Sequence, residues 1–171
     1  MFTRKIAVGF SLLAAVFIFQ ESVMNQFRLP GSGFSVFLIL IFTWSAISTP
    51  EIALLTGFSA GILLDLAQGS DGPIGQWTLI LVLVCYAVSY FGEGNINGNP
   101  LGIVFFVVSA NFVAHILFLA SGALLGVQVG SLGQVLLTLF GTSLWTLAIT
   151  PILLPVFSKA HEIIFDSRTS L

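Results

Sequence analysis

Residues 49–75 read TPEIALLTGFSAGILLDLAQGSDGPIG. Glu51 and Asp65 frame an apolar run that carries Gly57-Phe58-Ser59-Ala60-Gly61. The chain holds only 7 acidic and 5 basic residues in 171, so two carboxylates around one hydrophobic segment need a reason. At about 100° per residue, Glu51, Leu54, Gly57, Phe58, Gly61 and Asp65 share a helical sector of roughly 120°. Gly57, Gly61 and Asp65 line up at i, i+4 and i+8. Glycines four apart let another helix approach closely, the small-xxx-small device of membrane packing. The segment is therefore expected to lie among other helices.

Composition sets the solvent. The chain is 57% hydrophobic and 7% charged, with a mean hydropathy of +1.08. Soluble domains carry about 25% charged residues, so the expectation is an all-α integral membrane protein of one domain. A net charge of −2 gives no case for nucleic acid. The single cysteine, Cys85, excludes an internal disulfide and a multi-cysteine metal site.

A helix needs about 20 mostly apolar residues to cross the hydrocarbon core. The pattern predicts about six transmembrane helices, roughly 5–24, 34–49, 50–68, 74–91, 100–121 and 132–157. Turn segments at 29–33, 69–73 and 92–100 separate them. Thr49-Pro50 forms a tight corner between the second and third spans, with proline at a first helical position. Pro151 and Pro155 predict a kink or break in the last span. Six spans place Arg4, Lys5, Lys159 and Arg168 on one side and Arg28 on the other. That asymmetry puts both termini in the cytoplasm. Arg4-Lys5 before an apolar run resembles a signal peptide, but no small-x-small site follows, so the run is read as a retained span. The tail from Ser158 to Leu171 is read as a short amphipathic extension at the interface.

The two acids differ in context. Glu51 sits in a first helical turn, where the dipole favours a carboxylate, and reads as an interfacial cap. Asp65 sits near a helix C-terminus, where the dipole disfavours it, so it needs a donor or a cation. Its expected role is structural, bonding to neighbours to fix the turn that follows. Asn111 and His115 form a second polar pair at i, i+4, expected to hydrogen-bond across helices. His115 is also a candidate partner for Asp65. Ala7, Ser11 and Ala15 make a small-residue stripe on the first span, read as a docking face or as internal packing. No nucleophile–base set, phosphate loop or metal motif is present in the sequence, and catalysis is not expected.

One stretch resembles a known family. Glu51, the run Gly57-Phe58-x-x-Gly61-Ile62-Leu63-Leu64-Asp65-Leu66-x-x-Gly69, and Pro73-Ile74-Gly75 are similar to the acid–GFxxGLLxDLxxG–PLG pattern of the rod shape-determining MreD family. Chain size, Gln20 at the end of the first span, and a proline-containing last span with a short basic tail agree as well. The polar loop at 92–100 and the Asn111/His115 pair are not part of that pattern. The resemblance implies a non-enzymatic, cofactor-free scaffold of lateral peptidoglycan synthesis in the bacterial cytoplasmic membrane. Its implied partners are an MreC-like protein, a RodA-like glycosyltransferase with its penicillin-binding transpeptidase, and an MreB-like filament. Gly57, Gly61 and Asp65 would then be structural or interface positions. A runner-up is the substrate-binding S subunit of an energy-coupling-factor vitamin transporter, whose fold MreD-like proteins resemble. The Ala7/Ser11/Ala15 stripe is similar to the docking face on the first helix of such subunits. A proton or ion pathway through Glu51, Asp65 and His115 lacks a continuous polar face.

Overall fold

The computed structural model of the protein describes residues 2–23, 33–67, 73–92, 99–126 and 131–165. Among these it is all-helical: α1 (Phe2–Ser22), α2 (Val36–Ile47), α3 (Pro50–Asp65), α4 (Gln76–Gly92), α5 (Pro100–Leu124) and α6 (Leu132–Phe165). Consecutive helices alternate in direction. The start of α1, the α2–α3 corner and the end of α6 share one end of the bundle, here the near end. The α3–α4 turn and the α5–α6 turn share the far end.

Helix α2 is the axis. It packs against each of the other helices, and Phe37 to Ala46 are all buried. Its sequence, VFLILIFTWSAI, is apolar on every side, as a helix enclosed by protein requires. Two side chains hold its first turn. Ser35 accepts from the Leu38 N–H at 3.2 Å, and Gln20 Oε1, at the end of α1, accepts from the Val36 N–H at 2.9 Å. At 12 residues, α2 is about 18 Å long.

The other helices differ in how they begin and end. Helix α3 opens on Pro50 after an extended Thr49, whose side chain makes no capping bond. Asn99 caps α5 through the Leu101 N–H at 3.1 Å, again with proline at the first helical position. Helix α6 runs unbroken through Pro151 and Pro155, so the expected break is absent, and both prolines lie on its exposed face. It also continues to Phe165, past the expected end of the span at 157, and buries His161 on one side of this last stretch. Residues 166–171 of that tail lie outside the described residues, as do Arg28, Arg168 and Asp71.

Helix α6 reaches the core with hydroxyls. Thr142, Thr146 and Thr150 are buried at four-residue spacing. Each donates to the carbonyl four residues earlier, at 2.8, 2.7 and 2.6 Å. Satisfied within their own helix, they need no partner in the apolar core. The outer surface is apolar too: Ile18, Ile74, Leu79, Phe105, Phe140 and Leu144 are all exposed. Two helices, α5 and α6, are long and apolar enough to cross a membrane.

Candidate functional site

The stretch 51–75 builds the tightest contact in the molecule, between α3 and α4. A Cβ on Gly57 would stand 2.7 Å from the Leu81 carbonyl oxygen and 3.1 Å from the Cys85 Cβ. A Cβ on Gly61 would press on the Thr78 backbone, 2.8 Å from its nitrogen. Any larger residue at either position forces the two backbones apart. The glycine face is thus filled by α4 of the same chain, and Cys85 is buried beneath it.

Asp65 lies one turn beyond Gly61 on that face. Its Oδ1 accepts from the Trp77 N–H at 3.0 Å. Its Oδ2 accepts from the Thr78 N–H at 3.0 Å and the Thr78 hydroxyl at 2.6 Å. All three donors belong to the first turn of α4, where N–H groups have no partner within the helix. The carboxylate suffers the unfavourable dipole end of α3 but gains the favourable end of α4. Asp65 is a cap in trans, closing the far end of the hairpin. The turn it spans includes 68–72, outside the described residues.

Trp77 links this cap to α5. Its ring stacks on Phe118 at 4.5 Å and meets the edge of His115 at 6.2 Å. Beside it, Gln76 Nε2 donates to the Phe118 carbonyl at 2.8 Å and the Ser121 hydroxyl at 2.7 Å. His115 makes neither a hydrogen bond nor an ion pair with Asp65; Trp77 stands between them. Nor does His115 bond across helices: its Nδ1 meets the Asn111 carbonyl of its own helix at 2.8 Å. A carbonyl can only accept, so that nitrogen carries the proton. Asn111 is buried, and its Nδ2 has no hydrogen-bond partner.

The near end holds a cluster that sequence reasoning misses. Trp44 Nε1 donates to the Phe157 carbonyl at 3.0 Å. His161 Nε2 lies 2.7 Å from the Ser48 hydroxyl, and the Ser89 hydroxyl donates to the Ser48 carbonyl at 2.6 Å. The His161 ring packs on Trp44 at 5.9 Å and on Phe165 at 4.9 Å. These bonds tie α2, α4 and α6 together. The signal was present: Phe157, His161 and Phe165 recur every four residues, while the charged Lys159 and Glu162 fall on the exposed side. The threonines at 138, 142, 146 and 150 are a second overlooked repeat.

Ala7, Ser11 and Ala15 are all exposed. Ser11 donates to the Ala7 carbonyl of its own helix at 2.8 Å, and among the described residues the stripe faces outward. Glu51 is also exposed, at the start of α3. The structure thus brings Gly57, Gly61 and Asp65 together in one seam. It leaves Ala7, Ser11, Ala15 and Glu51 at the surface, and puts Asn111 and His115 on α5 beside the aromatic cluster. A groove of about 380 Å³ between α4 and α5 is lined by Ala87, Ser109, Ala110, Phe91 and Phe106 among others. Among the described residues no group of three or more His, Cys, Asp or Glu could hold a metal ion.

No protein-family model, curated protein or solved structure matches the chain.

Proposed function

We propose that the protein is a multi-pass membrane scaffold of the bacterial cell-elongation machinery, with both termini in the cytoplasm. The observation that carries this reading is the use of the 51–75 stretch. Its acid and glycines serve packing inside the chain, as a scaffold requires, while the outer faces of the helices are apolar and open to lipid or to partner helices. The exterior supports the membrane part of the reading, since contiguous exposed apolar surface of this extent marks a membrane or protein partner. The partners proposed are an MreC-like protein, a RodA-like glycosyltransferase with its penicillin-binding transpeptidase, and an MreB-like filament. They would be held by helix–helix packing rather than by loops.

The exposed Ala7/Ser11/Ala15 face favours a second reading, a vitamin-binding S subunit docked through α1 on an energy-coupling module. Affinity capture from native bacterial membranes separates the two. Recovery of MreC-like and RodA-like proteins is the expected result. Recovery of paired ATPases with a vitamin-sized ligand overturns the scaffold reading and supports the second.

A further inference from the structure

The α3–α4 face is shorter than the neighbouring α5–α6 face, and its boundaries can be located. Gly57 packs on Leu81 and Cys85, and Gly61 on Thr78. Extended toward the near end, that antiparallel register sets Glu51 level with the last turn of α4. The Ser89–Ser48 bond lies at the same level. Two surface groups mark this edge, the exposed carboxylate-bearing Glu51 and the exposed Tyr90. A charged residue and a tyrosine are what an apolar band carries at its boundary with water.

At the far end α4 begins at Gln76 and α3 ends at Asp65, followed by an exposed Leu66. In sequence, Gln68, Gly69, Ser70, Asp71 and Gly72 come next. From Ile52 to Leu66 is 14 residue steps, and from the exposed Ile74 to Tyr90 is 16. At 1.5 Å per step the two bands are about 21 and 24 Å long. The hydrocarbon core of a typical bilayer is about 30 Å thick, so this face falls short by about 6–9 Å.

The neighbouring face does not. Helix α5 has 25 residues and α6 has 34, about 38 and 51 Å. The stacking of Trp77 on Phe118 fixes the offset. Beyond that level α5 climbs six more residues to Leu124, about 9 Å past the start of α4. Leu124, Leu132 and Leu136 on this projection are exposed.

A short apolar band meets a thicker bilayer by snorkelling, by oligomerising or by thinning the lipid around it. Residues 50–92 contain no lysine or arginine, the long charged side chains that snorkel furthest. Tilting the helices shortens their span further. We infer that the α3–α4 face is seated in a locally thinned bilayer, so that the protein carries a step in membrane thickness between α4 and the α5–α6 hairpin. The occupant of this face is lipid with short or compressed acyl chains, and the inference rests on the membrane reading above.

The test uses the full chain in dioleoyl phosphatidylcholine vesicles. A reporter tryptophan is placed on the short face by Leu79→Trp, or on the long face by Leu136→Trp, both positions being exposed. Bromine-bearing phosphatidylcholine with myristoleoyl or with erucoyl chains is then added at equal mole fraction, and the quenching in excess of the parent chain is read. The expected result is a preference at Leu79→Trp for the shorter chain, on the order of two-fold, with none at Leu136→Trp. Adding Glu51→Leu and Tyr90→Leu lengthens the band and shifts the preference toward the longer chain. Equal quenching by both lipids at Leu79→Trp, or stronger quenching by the longer, overturns the inference. Absence of quenching there shows the face covered by another copy and overturns it as well. Alkaline extraction of native membranes separates the two claims. A chain retained in the pellet but without chain-length preference removes the thinning alone, while a chain released to the supernatant removes the membrane reading with it.

Discussion

Thr78 lies so close to Gly61 that a Cβ on the glycine would come within 2.8 Å of the threonine backbone nitrogen. The same nitrogen donates to Asp65 one turn further along. Contact and cap are therefore a single unit: whatever moves Thr78 away from Gly61 also stretches its bond to Asp65.

Gly61→Ala should therefore be the most damaging small substitution in the chain. Overpacking costs about 1–3 kcal/mol, and here the obstacle is backbone, which cannot rotate aside. Gly57→Ala should cost about as much, because it meets the Leu81 carbonyl. Gly133→Ala is the control, since nothing lies within 4 Å of its Cβ position on α6. It should be neutral or stabilise by about 0.5–1 kcal/mol. Thermal unfolding in detergent, followed by circular dichroism, ranks the three. Equal midpoints would refute the close α3–α4 approach.

Asp65→Ala should destabilise the protein by about 2 kcal/mol, the upper range for a lost helix cap. It leaves the part-buried Trp77 and Thr78 N–H groups without their acceptor. Asp65→Asn should lose less, since one amide oxygen still accepts, but its NH₂ cannot accept the remaining donors. Thr78→Val removes only the hydroxyl and should cost about 1 kcal/mol. In a double-mutant cycle Asp65 and Thr78 should be coupled by about 1 kcal/mol. Additive effects would show that the carboxylate acts elsewhere.

The end of α6 should come loose when His161 is replaced. His161→Ala removes the contact to Ser48 and the packing on Trp44 and Phe165. The exposed Lys159 then becomes a trypsin site. Local opening, and with it cleavage after Lys159, should rise on the order of ten-fold. Ser48→Ala should have a smaller effect in the same direction. An unchanged cleavage rate in both variants would mean the segment is held by other contacts.

Topology has a direct test. Cysteines placed at Asp71 and Asn97 should react with an impermeant maleimide from opposite sides of the membrane. Cys85 is buried under Gly57 and should stay silent, so it need not be replaced. Labelling of both positions from one side would exclude six spans.

The helical architecture was legible in the sequence because apolar runs and turn clusters alternate along it. The 57–61–65 alignment was legible because glycines and an acid at four-residue spacing leave few other uses. The partner of Asp65 was not. A cap in trans depends on where the next helix begins, and Gln76-Trp77-Thr78 carries no sign that its N–H groups point backward. His161 was overlooked for a different reason. The tail read as amphipathic, and its four-residue period does bury one side, but nothing in the sequence names Ser48 and Trp44 as what that side meets. Asn111 and His115 looked like cross-helix donors because polar groups in apolar helices usually find such partners. Here His115 satisfies itself on its own helix.

Helix α2 also constrains how the molecule can be made. It is synthesised before α4, α5 and α6, yet its walls include all three. On the membrane reading proposed above, its length of about 18 Å is too short to hold a place across a bilayer by itself. The chain must therefore keep its most apolar helix in a provisional position, leaning on α1 and α3, until the last helix arrives. Chains cut off before α6 should leave α2 uncovered on that side, a ready target for proteases. The centre of the protein is finished last.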